Sequence, residues 1–326
     1  MIRLCNPRLL RLAFAFCAVI AGATAVAQSF PSRPLRILVI VAPGGAGDIT
    51  ARIAGAAITA SLGQTTVVDY RPGAGGTIAA NAVAKSPADG YTLLLSDQGA
   101  TVHAGALFKQ LPYDPAKELA MVSWIATTPF LLLAGPSIKV SSLKELIDLV
   151  KANPGTIPYG NAGAGTHHHL SMELFKLRAG LDMPAVFYKG GAPAVQDTVA
   201  GQLPITVSAL STTDSLIKAG KLRALAVMSR NRFTTHPDVP ALSEIVPGFE
   251  GVSMLGVWAP AGTPRANLLQ LNAAILKSLV SAETIKRLHD VGLEALPRGL
   301  DESNQIWQNE LAIWPDLIRK LRITLD

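Results

Sequence analysis

Residues 35–57 read LRILVIVAPGGAGDITARIAGAA. The β-branched and apolar run from Ile37 to Val41 predicts a strand. Gly44, Gly45 and Gly47 predict a tight turn, and the spacing of Ile49, Ile53 and Ile58 behind Asp48 predicts a helix with Asp48 as its N-cap. Strand, glycine loop and helix together leave unpaired backbone N–H groups and the positive end of a helix dipole facing one space. That geometry suits a phosphate or a carboxylate. A dinucleotide fingerprint would need glycine where Thr50 stands, although Asp69 lies near the place of a ribose-binding acid. A Walker loop would need Lys-Ser/Thr to follow, and none does.

Upstream of this unit, Arg3, Arg8 and Arg11 precede an almost wholly apolar run at 12–23 and a small-residue end, Ala25-Val26-Ala27. The pattern predicts a secretory signal peptide over residues 1–27, cut after Ala27. The apolar run is shorter than the roughly 20 residues that a membrane span needs. Cys5 and Cys17 would leave with the signal, so no disulfide, thiolate nucleophile or cysteine metal site is expected. The formal charge of +6 falls to +3, because three arginines and no acidic residue precede Gln28. Scattered charge of that size, with no Lys/Arg stripe among aromatics, gives no footprint for nucleic acid.

From Gln28 onward short apolar runs alternate with helical stretches, the signature of an α/β fold. Strands are predicted at 65–69, 91–95, 157–159, 185–188, 204–209, 222–228 and 256–259, with an extended apolar segment at 123–134. Ser142-Leu-Lys-Glu145 reads as a capping box, Thr77 and Thr166 as helix caps, and Pro264 as the first turn of another helix. The informative feature is a doubling. A second glycine loop, Gly160-Asn-Ala-Gly-Ala-Gly165, follows a strand and precedes a helix as the first does. Open α/β sheets bind ligands at the carboxyl ends of their strands, so two such units predict two lobes around one cleft. The expected division places 28–129 and 229–326 in lobe 1 and 130–228 in lobe 2.

Catalytic machinery is hard to find. His167, His168 and His169 invite a metal reading, but consecutive helical residues point in different directions and no Asp/Glu/His cluster lies nearby in the sequence. Ser171 and Ser229 sit in no G-x-S-x-G elbow. No cofactor is expected.

A longer set of short motifs carries a resemblance. P-G-G-A-x-D (43–48), R-P-G-A-G-G (71–76), D-G-Y-T-L (89–93) and L-P-Y-D-P (111–115) come first. G-x-G-T-x-x-H-L (163–170), Y-K-G-x-A-P-A (188–194), G-K-L-R-A-L-A-V (220–227), P-D-V-P (237–240) and A-P-A-G-T-P (259–264) follow. In this order the chain resembles the Bug family of periplasmic solute receptors, the extracytoplasmic component of tripartite tricarboxylate transporters. The resemblance implies a two-lobed periplasmic-binding-protein fold of type II kind. It also implies a periplasmic monomer, a small carboxylic acid in the cleft, and membrane permease subunits as partners. Carried over by position, the ligand contacts would be Val41, Ala42, Gly44, Gly45, Ala46, Gly47 and Asp48, with Ser96, on one side. On the other they would be Asn161, Ala162, Gly163, Gly165, Thr166, His169 and Ser208. Carboxylate oxygens would accept backbone N–H bonds from 44–47 and 163–166. This chain departs from the family pattern at Ile40 and Val41 (usually Pro and an aromatic), Gly47 (usually a hydroxyl residue), Tyr70 (commonly Asn), and Pro204 and Ser208 (frequently acids). Ser208 in place of an acid speaks against aminated acids such as aspartate. Two other readings compete: a secreted or periplasmic enzyme acting on a small anion in the same cleft, and a sensor-partner protein with the receptor fold.

Overall fold

The opening strand, β1 (Leu35–Val39), buries Leu35, Ile37, Leu38 and Val39 and exposes only Arg36, the pattern of a strand covered on both faces. The computed structural model describes residues 30–44 and 46–325, and every strand and helix named below lies in the unit Arg33–Asp326. The expected signal segment, 1–27, and Gly45 fall outside the described residues.

In chain order β1 is followed by α1 (Ala46–Leu62), β2 (Thr66–Tyr70), α2 (Thr77–Ala84) and β3 (Thr92–Ser96). Then come the short helices α3 (Ala104–Leu107) and α4 (Pro115–Glu118), and β4 (Leu119–Thr128). A second series runs β5 (Phe130–Ala134), α5 (Leu143–Ala152), β6 (Tyr159–Asn161), α6 (His167–Ala179), β7 (Ala185–Phe187), α7 (Gly191–Val199), β8 (Ile205–Ala209), α8 (Leu210–Lys218) and β9 (Arg223–Val227). The chain ends with β10 (Ser253–Pro260), α9 (Arg265–Leu279), α10 (Ala282–His289), β11 (Glu294–Ala295) and α11 (Leu300–Lys320).

These strands form two mixed sheets, one per lobe. The first has the order β11-β4-β10-β3-β1-β2, and the second β7-β6-β8-β5-β9. Each contains a parallel half. β1 pairs in parallel with β2 and β3, and β6 with β7 and β8. The glycine loops therefore leave the carboxyl ends of β1 and β6, where a doubly wound sheet presents its ligand site. Only Pro129 separates β4 of the first sheet from β5 of the second. The return crossing is at β10, where Ser253 pairs with Thr128. Between β9 and β10, Val227 bridges Ala241, and Phe233 and Ala241 pack with Leu131 and Leu133 of the second sheet.

The lobe-1 core centres on aromatics of neighbouring strands. Trp124 on β4 and Trp258 on β10 meet edge-on at 5.2 Å, and Trp124 Nε1 donates to the Ser303 carbonyl of α11 at 3.0 Å. Gly256 makes room for them, since a Cβ there would lie 2.9 Å from the Trp124 ring.

Helix starts follow the sequence with instructive offsets. Ser142 caps α5 by accepting the Glu145 N–H at 3.2 Å. The reciprocal arm of Glu145 lands one residue earlier than a capping box prescribes, on the N–H and hydroxyl of Ser141 at 2.8 and 2.7 Å. Ser142→Ala should cost about 1 kcal/mol of stability, read by chemical denaturation. Thr77 is the first residue of α2 rather than its cap, because left-handed Gly76 precedes it and its hydroxyl donates back to the Ala74 carbonyl at 2.8 Å. Among the described residues no helix is long and apolar enough to cross a membrane.

Candidate ligand-binding site

The first loop is locked by its own acid. α1 starts at Ala46, so Asp48 lies inside its first turn and is not the cap expected from sequence. Its side chain folds back: Oδ2 accepts the Gly44 N–H at 2.9 Å, while Oδ1 accepts Arg52 Nε at 2.8 Å and the Tyr70 hydroxyl at 2.6 Å. Burial alone would raise this carboxyl, but the bonds from Tyr70, Gly44 and Arg52 together carry it below the usual carboxylate value. Tyr70, where the family commonly has Asn, is thus part of the lock. Two further departures are one event. A Cβ on Gly47 would stand 2.7 Å from Val41 Cγ2, so Val41 occupies the space that a side chain at 47 would need.

The second loop is built the same way. Asn161 Oδ1 accepts the Gly163 N–H at 2.9 Å, and His169 Nδ1 accepts the Gly165 N–H at 3.2 Å. The Thr166 hydroxyl donates to the Gly163 carbonyl at 2.7 Å and accepts the His169 N–H at 3.4 Å, capping α6. Gly163, with φ of 131°, holds a conformation that side chains rarely adopt. The N–H groups of Gly44, Gly163 and Gly165 are therefore already satisfied within the chain. The donors left open at α6 are the first-turn N–H groups of His167 and His168, which have no intrahelical acceptor and no other partner among the described residues.

Between the two sheets, bounded by the end of β1 on one side and the second loop on the other, lies a cavity of about 450 Å³. Of the residues named from sequence, Val41, Ala162, Gly165 and Thr166 line it. Ala42, Gly44, Ala46, Gly47, Asp48, Ser96, Asn161, Gly163, His169 and Ser208 do not. Several of these act one layer back. Ser96 is buried with its hydroxyl on the Asp97 carbonyl at 2.9 Å, and buried Ser208 bonds the Thr212 hydroxyl at 2.9 Å. The remaining wall is not legible in the sequence motifs alone. It comprises Ile40, the turn at Gly73, Gly75 and Gly76, Asp97 and Gly99 behind β3, His103, Leu107, Phe108, Phe130, His167, His168, Ser253 and Leu325. The R-P-G-A-G-G motif is the available signal for the turn, and Gly76 is needed there because a Cβ would sit 3.0 Å from Ile40.

The three consecutive histidines diverge. His167 stacks on His103 at 5.5 Å with Trp314 at 5.0 Å, His168 meets Phe130 at 4.2 Å, and His169 meets Phe187 edge-on at 5.0 Å. Burial pushes His103 down to about 3 and His168 down to about 4, and lowers His167 well below the ordinary histidine value. All three are neutral at physiological pH. Among the described residues the cavity lining contains no lysine or arginine. An anion held here is held by backbone dipoles and neutral donors.

Residues 50–323 match the family model described as the tripartite tricarboxylate transporter family receptor. BugT of Bordetella pertussis is 35% identical over 316 residues, covering 96% of this chain and 97% of that protein. Among solved structures, Rpa4515 of R. palustris with adipate is 34% identical with a TM-score of 0.73, covering 91% of this chain and all of that one. MatC from Rhodopseudomonas palustris with bound malate is 31% identical with a TM-score of 0.69, covering 89% of this chain and all of that one. With two lobes, two glycine loops and a cleft between them, the chain belongs to the tripartite tricarboxylate transporter receptor family, whose members bind solutes and do not transform them.

Proposed function

We propose that this receptor works in the periplasm, binds a small carboxylate in the cleft between its lobes, and hands it to the permease of a tripartite transporter. One observation carries the reading. The N-terminus of α6, residues 164–168, lines the cavity with the His167 and His168 N–H groups unpaired and, among the described residues, no lysine or arginine in the lining. Carboxylate oxygens at that end accept the His167 and His168 N–H groups and gain from the helix dipole. The glycine loops act mainly as scaffolds, with Asp48, Asn161 and His169 fixing their shape. The adipate and malate bound to the two structural relatives support the ligand class. Charge-assisted bonds contribute about 1.5–3 kcal/mol each, so a few suffice for micromolar affinity after the ordering costs.

A thermal-shift screen of the mature chain against mono-, di-, tri- and aromatic carboxylates tests the proposal. Stabilisation by at least one class without consumption of the acid is the expected result. Turnover of the acid would replace the receptor with an enzyme. Cell fractionation tests the compartment, and retention in the cytoplasm would remove the transport role.

A further inference from the structure

The lining of the cleft narrows the ligand class, provided that the chain is a carboxylate receptor. We infer that the preferred ligand is a monocarboxylate with an apolar, ring-sized body and a hydrogen-bond donor away from its carboxylate, and that Asp97 is the residue that selects that donor.

The walls around the cavity are apolar to an extent that a short dicarboxylate does not use. Ile40, Val41, Leu107, Phe108, Phe130 and Leu325 all face it. Such walls stabilise a ligand in proportion to the apolar area that it covers, about 25 cal/mol per Å². A malate-sized acid covers little.

Charge is the second constraint. With the histidines neutral and no lysine or arginine among the described residues of the lining, a second carboxylate on the ligand has no cation there to meet. What it meets is an acid. Asp97 directly follows β3 of the first sheet and lines the same cavity as the α6 N-terminus of the second. Its Oδ1 accepts the Gly99 N–H at 2.8 Å, and a Cβ on Gly99 would stand 2.8 Å from that same oxygen, so a side chain there would push the carboxylate aside. Among the described residues no lysine, arginine or histidine pairs with Asp97. Burial raises its carboxyl above the usual value. A ligand hydroxyl or amine that donates to Asp97 relieves that desolvation. A second carboxylate deepens it, or forces a proton onto Asp97. The acid that the family frequently places at the position of Ser208 is missing, and Ser208 does not reach the cavity. Asp97 supplies an acceptor from the opposite lobe.

Titration calorimetry with benzoate, para-hydroxybenzoate, adipate and malate near neutral pH tests this. Para-hydroxybenzoate should bind about tenfold more tightly than benzoate, and more tightly still than either dicarboxylate. Asp97→Asn, which keeps an acceptor and removes the charge, should raise adipate affinity by about tenfold and shrink the advantage of the hydroxyl. Adipate or malate binding more tightly than para-hydroxybenzoate to the parent protein would overturn the inference and leave the receptor reading standing. So would a folded Asp97→Asn protein with unchanged ratios among the four acids. Binding of none of the four would overturn the inference and leave the receptor reading to the wider carboxylate screen.

Discussion

Gly163→Val is expected to lower carboxylate affinity by about a hundredfold or more while the protein remains folded. Gly163 has φ of 131°, and a Cβ there would approach the Tyr188 carbonyl at 3.3 Å. A β-branched residue cannot hold that conformation without strain on the order of 1–3 kcal/mol. The strain is relieved by moving the loop, and the loop is what aims α6. The Gly163 carbonyl receives both the hydroxyl and the N–H of Thr166, at 2.7 and 3.3 Å. Thr166 in turn caps the helix. Displacing the loop turns the open N–H groups of His167 and His168 away from the ligand, and two charge-assisted bonds are worth about 3–6 kcal/mol together. The fold survives because the aromatic core around Trp124 and Trp258 belongs to the other sheet. Calorimetry with the acid found in the screen, paired with a thermal melt, checks both halves. Normal binding by the valine variant would show that the second loop is not the site.

Glu310→Gln is expected to make the protein more stable than its parent at alkaline pH and no different in acid. Glu310 lies on α11, where its Oε2 accepts Gln98 Nε2 at 2.8 Å and Trp314 Nε1 at 2.6 Å. Burial pushes its carboxyl up to about 7 with help from the nearby Glu250 charge, and the bonds from Gln98 and Trp314 only partly oppose this. The sign follows from linkage. The folded protein keeps this proton up to about pH 7, whereas the unfolded chain releases it near 4.5, the ordinary glutamate value. Folding therefore takes up a proton between these values, and stability falls as pH rises through that window. The loss persists above it, at roughly 1–3 kcal/mol. Glutamine retains an acceptor for Gln98 and Trp314 and has no charge to bury. Chemical denaturation at about pH 4.5 and about pH 8 should show a stability difference that opens only at the higher value. A difference that stays constant with pH would mean that Glu310 is ionised throughout.

Much of the fold was legible because it depends on neighbours in sequence. The strand ahead of the first loop and the Ser142 cap act over a few residues, and the structure has both, with the strand at Leu35–Val39 rather than 37–41. The insertion of β10 between β3 and β4 was not legible, since nothing local to residues 253–260 specifies an antiparallel partner more than a hundred residues away. The site divides along the same line. That glycine loops would frame the cleft could be read from their spacing. That their N–H groups would be silenced by Asp48, Asn161 and His169 could not, because those bonds depend on how each side chain folds back. Tyr70 reaches Asp48 from β2, a contact set by the sheet. Asp97 stands in no motif that marks it, and its place in the cavity wall comes from the packing of the loop behind β3.

The two crossings between the sheets sit side by side, Thr128 against Ser253, with Pro129 following one of them. Two adjacent threads would make a pivot with a single axis, about which the lobes would swing like the covers of a book more readily than slide past each other. Buried Gln98 sits beside that crossing, within the first sheet, and accepts the Met254 N–H of β10 at 2.7 Å. Asp97, its immediate neighbour in the chain, faces the cleft. A solute held by Asp97, as inferred above, would lie one residue from the bond that ties the β3 loop to the crossing strand.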